Sequence, residues 1–195
     1  MKRDIILSGV GGQGILSIAN VIGKAALNDG LSIKQAEVHG MSQRGGDVQS
    51  NLRISSKPIA SDLIPRGATD VVISLEPMEA LRYLPWLSPE GWVITNTTPF
   101  VNISNYPDMQ AVNNELNSLP RVVTIDVDAI AKQAGSARAA NMVLLGAAAP
   151  FLGIEAEKLE QGIRDIFGRK GDEVVNMNLA AFRAGQEYAK KIAAK

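Results

Sequence analysis

The sequence predicts an α/β protein, Rossmann-like, with a mainly parallel sheet, helices on both faces and a helical C-terminal region. Three observations lead there. Apolar, strand-like runs alternate with helix-period segments through residues 4–135, the signature of βαβ units. The first run enters "SGVGGQG" (8–14) directly, and that glycine turn opens a helix. From Ala139 onward the pattern is helical without further strands. The 195 residues hold no repeat, low-complexity tract or linker, so one domain over 1–195 is expected.

The elements follow in order. Asp4–Ser8 reads as a buried strand and Ile15–Asn28 as an amphipathic helix, ended at Asp29-Gly30 with glycine in the capping role. "LSIKQAEV" (31–38) alternates as a second strand, and "HGMSQRGG" (39–46) is a polar, glycine-rich loop. "DVQSNLRIS" (47–55) alternates again, with Val48, Leu52 and Ile54 on one face. "DVVISL" (70–75) is continuously apolar, as for a strand covered on both sides. Pro77 suits the first turn of a helix running to Leu87. "GWVITNT" (91–97) and "RVVTID" (121–126) are further strands, separated by an irregular or weakly helical stretch over 107–119. A short helix ends at Gly135, "NMVLLGAAAPFL" reads as a buried helix, "EAEKLEQGIRDIF" as an amphipathic one, and residues 176–195 as a last helix with basic residues near its end.

Composition removes several classes of function. Lys+Arg and Asp+Glu balance at 20 each, which leaves no basic excess for a nucleic-acid backbone. There is no cysteine, hence no disulfide, thiolate nucleophile or Cys-ligated zinc or iron–sulfur cluster. His39 is the one imidazole, which argues against a His-rich metal site or a Ser-His-Asp triad. The start "MKRDIILSGV" lacks the long apolar core of a signal peptide, and no run is long enough to span a membrane, so a cytoplasmic location is expected.

In open α/β sheets ligands sit beyond the strand C-terminal ends. The tails of interest are Gly9–Gly14, His39–Gly46, Glu76-Pro77 and Asn96–Pro99. Gly9-x-Gly11-x-x-Gly14 has the dinucleotide spacing, and Glu37 stands 23 residues after Gly14, near where such sites place a ribose-binding acid. The same turn also serves as a tight strand-to-helix connection with no nucleotide, and Gln13 at the helix start suits either use. In the second loop, glycines flank Arg44, whose planar fork of donors suits carboxylates and phosphates. A hairpin-like crossing with a surface arginine is the alternative. His39 reads as a structural hydrogen-bonding residue rather than a base, because no partner for it is evident.

Four stretches together carry a resemblance: "GVGGQG", "SQRGGDVQSNLRIS", "TDVVISLEPMEALRYLPWLSPEGWVITNT" and "AANMVLLGAAAPFLG". In this order they resemble the gamma-type subunit or domain of 2-oxoacid:ferredoxin oxidoreductases. "AEVHGMSQRGG" (36–46) is most similar to the small (beta) subunits of the indolepyruvate branch; pyruvate and 2-oxoglutarate relatives more often carry a "YGPExRGG"-like loop there. The resemblance implies a partner-dependent enzyme that decarboxylates a 2-oxoacid, passes electrons to ferredoxin and releases an acyl-CoA. It implies a large (alpha) partner subunit bearing thiamine diphosphate, Mg and iron–sulfur clusters, with coenzyme A as co-substrate and no cofactor on this chain. The sequence agrees: it has no cysteine, and "RKGDEV" and Asn113-Asn114 do not form a thiamine motif.

Under the resemblance, Gly11, Gly12, Gln13, Gly14 and Arg44 are expected at a subunit junction or an anion such as coenzyme A. Asn141 would pin the loop backbone at a helix start or stand as a solvated cap, and Gly146 would allow close helix packing. No residue is expected to be catalytic, since decarboxylation belongs to thiamine chemistry. The isolated chain is expected to be inactive and to expose an apolar patch through which it could form a homodimer; Trp86, Trp92 and Phe100 are candidates for it, each equally a core residue and core the more frequent outcome for such tryptophans. The rival readings are a free-standing NAD(P)- or FAD-dependent oxidoreductase, resting on the three glycines and Glu37, and a regulatory module for coenzyme A or a nucleotide.

Overall fold

The computed structural model describes residues 1–40 and 45–193. Among them six strands form one sheet: β1 (Lys2–Val10), β2 (Ser32–His39), β3 (Asp47–Ser55), β4 (Thr69–Ser74), β5 (Leu87–Asn96) and β6 (Val122–Ile125). Their order is β2-β3-β1-β4-β5-β6. β1 pairs in parallel with β4, β4 with β5, and β5 with β6. β3 runs antiparallel to both β1 and β2, so among the described residues it is the single reversed strand. The sheet is therefore mixed but mostly parallel, as the alternating pattern predicts.

Among the described residues seven α-helices flank it: α1 (Ile15–Asn28), α2 (Pro77–Arg82), α3 (Met109–Asn117), α4 (Val127–Gln133), α5 (Ala140–Leu152), α6 (Ala156–Phe167) and α7 (Asp172–Ala193). Alternation along each strand feeds two apolar layers, because successive side chains leave opposite faces. Ile5, Leu7, Ile73 and Ile94 join Ile18 and Ile22 of α1, Leu144 of α5, Ile163 of α6 and Phe182 of α7. Ile6, Val72 and Val93 join Ala80 of α2 and Val112 and Leu116 of α3. Helices thus cover both faces.

The nearly all-apolar α5 lies between the sheet and α7, which is why it shows no amphipathic stripe. Gly146 makes this packing possible: a Cβ there would stand 1.9 Å from the Phe182 carbonyl oxygen. Gly185 does the same from α7, where a Cβ would stand 1.9 Å from the Val143 oxygen. The two helix backbones touch at a pair of glycines, as expected for Gly146.

Several boundaries differ from the sequence reading. The helix after Pro77 stops at Arg82 and gives way to a 3-10 turn at Leu84–Trp86, because Pro85 lacks an N–H and disfavours α geometry before it. β5 starts at Leu87 rather than Gly91. Of the two readings of 107–119, irregular or weakly helical, the helix holds: it is α3, whose start is capped by Asp108 accepting from the Ala111 N–H. The last helix begins four residues early, at Asp172, with Asp172 and Glu173 in its first turn.

Candidate functional site

Gly9–Gly14 leaves the end of β1 and turns into α1. Gly14 is the N-cap residue, at φ 89°, and offers no side-chain cap. A Cβ on it would lie 2.7 Å from Asn141 Nδ2, so both conformation and space require glycine. Asn141, in the first turn of α5, donates its side-chain amide to the Gly14 carbonyl at 3.3 Å. Of the two tasks open to Asn141, this is the pinning contact rather than the solvated cap. Gln13 turns inward: its Oε1 accepts from the Val10 N–H at 2.7 Å, and its Nε2 donates to the Leu75 carbonyl at 3.1 Å. That side chain ties the end of β1 to the end of β4, across the place where the strand order changes direction. Gly11 donates to the Gly46 carbonyl at 2.8 Å, and Gly45 donates back to Gly11 at 3.4 Å, so the two glycine loops are neighbours. Arg44 lies outside the described residues.

An open cleft of about 550 Å³ adjoins the loop. Val10, Gly11, Gly12, Gly14, Ile15 and Leu16 line one side; Glu37, His39, Gly40 and Val48 line the other. The uncapped start of α1 leaves N–H groups available to an anion. Glu37 shares the cleft, but not as in a dinucleotide fold. β3 stands between β1 and β2, so Glu37 is one strand further from the glycine turn than the fingerprint supposes. His39 Nε2 is 4.0 Å from a Glu37 oxygen, and Nδ1 faces the Gly40 carbonyl at 3.2 Å. A second, more polar crevice of about 340 Å³ lies on the other side of Gly12–Gly14, against Asn96, Asp128, Arg138 and Asn141. Among the described residues no group of three or more His, Asp or Glu side chains is placed to hold a metal ion.

Glu76 organises the remaining strand ends. It is buried, and its carboxylate accepts from the Glu79 N–H at 2.9 Å, capping α2. It also accepts from the Phe100 N–H at 3.4 Å and from the Tyr106 hydroxyl. Burial, aided by the bond to Glu76, raises the Tyr106 phenol well above its ordinary range, so it stays a donor. Asn102, between those anchors, donates to the Gly45 carbonyl. Sequence reading marked Glu76-Pro77 as a place to look but missed Tyr106 and Asn102. A Glu-Pro-x-Glu helix start signals the cap; the second use of Glu76 comes from a segment far along the chain.

Of the three aromatics read as either patch or core, the two tryptophans are packed. Trp86 meets Tyr83 at 5.7 Å between ring centroids and carries Arg66 over its ring, and Trp92 stacks on Phe151 at 4.3 Å. Phe100 is exposed, with Val101 and Ile103 beside it.

A family model described as pyruvate ferredoxin/flavodoxin oxidoreductase matches residues 4–188. The chain belongs to this family. The indolepyruvate oxidoreductase subunit IorB of Archaeoglobus fulgidus is 37% identical, over 97% of this chain and 96% of its own. Its counterpart from Pyrococcus horikoshii is 36% identical over 98% of both. Among solved structures, a 2-oxoglutarate:ferredoxin oxidoreductase from Magnetococcus marinus, with 2-oxoglutarate, coenzyme A and succinyl-CoA bound, superposes with a TM-score of 0.76 at 26% identity. The match covers 97% of this chain and 31% of that one. A keto/oxoacid ferredoxin oxidoreductase gamma subunit from Geobacter sulfurreducens shares the fold, with a TM-score of 0.69 at 24% identity. These relatives are oxidoreductase subunits, and homology to the IorB small subunits supports the subunit reading over a free-standing NAD(P)- or FAD-dependent enzyme. Among the described residues no helix is long and apolar enough to cross a membrane.

Proposed function

We propose that this chain is the small, cofactor-free subunit of an indolepyruvate-type 2-oxoacid:ferredoxin oxidoreductase, acting as one domain in the cytoplasm. In that reaction a 2-oxoacid loses CO₂, two electrons pass to ferredoxin, and the acyl group joins the thiol of coenzyme A. The observation that carries the reading is the end-to-end similarity to the IorB subunits. Thiamine diphosphate, Mg and the clusters belong on the large subunit in this reading; a chain with no cysteine has no thiolate to offer a cluster.

The contribution assigned to this chain is the glycine-loop cleft as a seat for coenzyme A. Gly11, Gly12 and Gly14 present backbone at the start of α1 for phosphate oxygens. Leu16 and Val48 offer apolar wall, Glu37 offers acceptors for hydroxyls, and Gln13 holds the loop in shape. The coenzyme A bound in the Magnetococcus relative supports the ligand class. Arg44 retains its expected task at an anion or at the junction. The exposed Phe100, Val101 and Ile103 are assigned to contact with the large subunit, and to self-association when the chain is alone.

Reconstitution with the large subunit tests the assignment. Turnover should require both chains; full turnover by the large subunit alone overturns it. Leu16→Asp should raise the KM for coenzyme A by about tenfold, and Arg44→Ala tests the arginine in the same assay. The isolated chain should bind neither NADH, NADPH nor FAD at micromolar concentration. Light scattering with and without the partner separates self-association from the heteromeric contact.

A further inference from the structure

The segment between Asn96 and α3 crosses over the strand ends with little apolar anchorage. Phe100, Val101 and Ile103 are 42%, 65% and 42% exposed, and Tyr106 is the chief side chain turned inward. Hydrogen bonds must therefore supply most of what holds it, since few buried contacts remain to do so. Those bonds form a chain. Asn96 Nδ2 donates to the Thr98 carbonyl at 3.1 Å. Glu76 accepts from the Phe100 N–H and the Tyr106 hydroxyl, one near each end of the exposed stretch. Asn102, near its tip, donates to the Gly45 carbonyl. Gly45 and Gly46 in turn pair with the two backbone groups of Gly11, in the wall of the cleft.

We propose that Tyr106 and Glu76 are a positioning pair for the cleft: they fix the 97–108 segment so that Asn102 braces Gly45-Gly46 against Gly11. The inference rests on the reading of the cleft as the coenzyme A seat. Glu76 suits the task because its position is decided twice over. The α2 N-cap fixes one carboxylate oxygen, and Ser74 Oγ fixes its backbone, donating to the Glu76 carbonyl at 2.7 Å and accepting from its N–H at 3.3 Å. The other oxygen is then a fixed acceptor to which the segment docks. Tyr106 adds one directional bond, the kind that orients a loop without a large share of stability.

The test uses the reconstituted two-subunit enzyme. Tyr106→Phe keeps the ring and removes the bond. It should raise the KM for coenzyme A by about fivefold with the KM for the 2-oxoacid unchanged, and should speed amide exchange at Gly11. Asn102→Ala, which breaks the brace at its far end and leaves Tyr106 in place, should shift the same KM in the same direction. A general loss of packing would move both KM values and the melting temperature together, and that result overturns the proposal. So does faster exchange at Gly11 with an unchanged KM for coenzyme A in both variants. Leu16→Asp separates the two ideas. If it raises that KM while Tyr106→Phe and Asn102→Ala do not, the positioning pair fails alone; if none of the three moves it, the cleft assignment and the pair fail together.

Discussion

At one side of the sheet β6 is four residues long; its Thr124 carbonyl accepts from the Tyr188 hydroxyl of α7 at 2.9 Å. Its exit is fixed by Asn96, whose Oδ1 accepts from the Val127 N–H at 3.3 Å. At the other side β2 is eight residues long, and Glu37, Val38 and His39 at its end are exposed. The β6 side is wrapped by α4, α5 and α7 and closed by a glycine pair; the end of the β2–β3 hairpin borders the cleft. The contrast separates two jobs. Burial and backbone closure hold the molecule together on one side, and unspent surface on the other is free to meet a ligand or a partner.

The comparison can be broken most severely at the closed side. Gly146→Val places side-chain atoms where the α7 backbone already lies, so a loss of about 3 kcal/mol or more is expected, read as a fall in the urea midpoint. Arg53→Met, in β3 at the end of the sheet away from the cleft, should come next. Asp4 is buried and held by Arg53 at 2.8 Å and 3.1 Å, with Lys2 at 2.8 Å. Removing the guanidinium leaves the carboxylate with one exposed partner and should cost about 3 kcal/mol. Burial by itself would raise the Asp4 carboxyl, but the bonds from Arg53 and Lys2 more than offset it and hold it below its ordinary value. The linkage sign follows: this stabilisation is present above about pH 4, the unfolded value, and is lost as pH falls through the depressed folded value. Acid titration of stability should therefore be flatter in Arg53→Met.

Smaller effects sharpen the contrast. Tyr188→Phe removes the bond that closes the β6 edge and should cost about 1 kcal/mol, with the KM for coenzyme A unmoved. Leu16→Asp, on an exposed position of the cleft wall, should change stability by no more than about 0.5 kcal/mol while weakening coenzyme A. Stability without function at one side and function without stability at the other would confirm the division; a Leu16 variant that unfolds the protein would erase it.

Much of this was legible in the residues. Apolar and alternating runs located all six strands, five of them to within two residues at each end, and the apolar run 141–152 announced a helix covered all round. Gly146 was placed correctly as a packing residue, and pinning was one of the two tasks open to Asn141. What stayed hidden depends on partners distant in sequence. Nothing near Gln13 says that its amide is engaged by Val10 and Leu75, and nothing near Glu76 says that Tyr106 and Asn102 come back over the strand ends. Glu37 has the fingerprint spacing, yet spacing along a chain does not record that a reversed strand has been laid between β1 and β2.

By itself, then, the sequence determined the class of fold, the position of the glycine turn, the absence of thiolate chemistry and the family. Each of these rests on local periodicity, residue type or motif order, which are properties of short stretches. The tertiary structure alone decided that the glycine loop opens onto a cleft shared with the hairpin, that Gln13 faces inward, and that a buried carboxylate anchors the segment above. Those features arise where strand order brings together residues tens of positions apart, and strand order is set by the packing of whole layers rather than by any one segment.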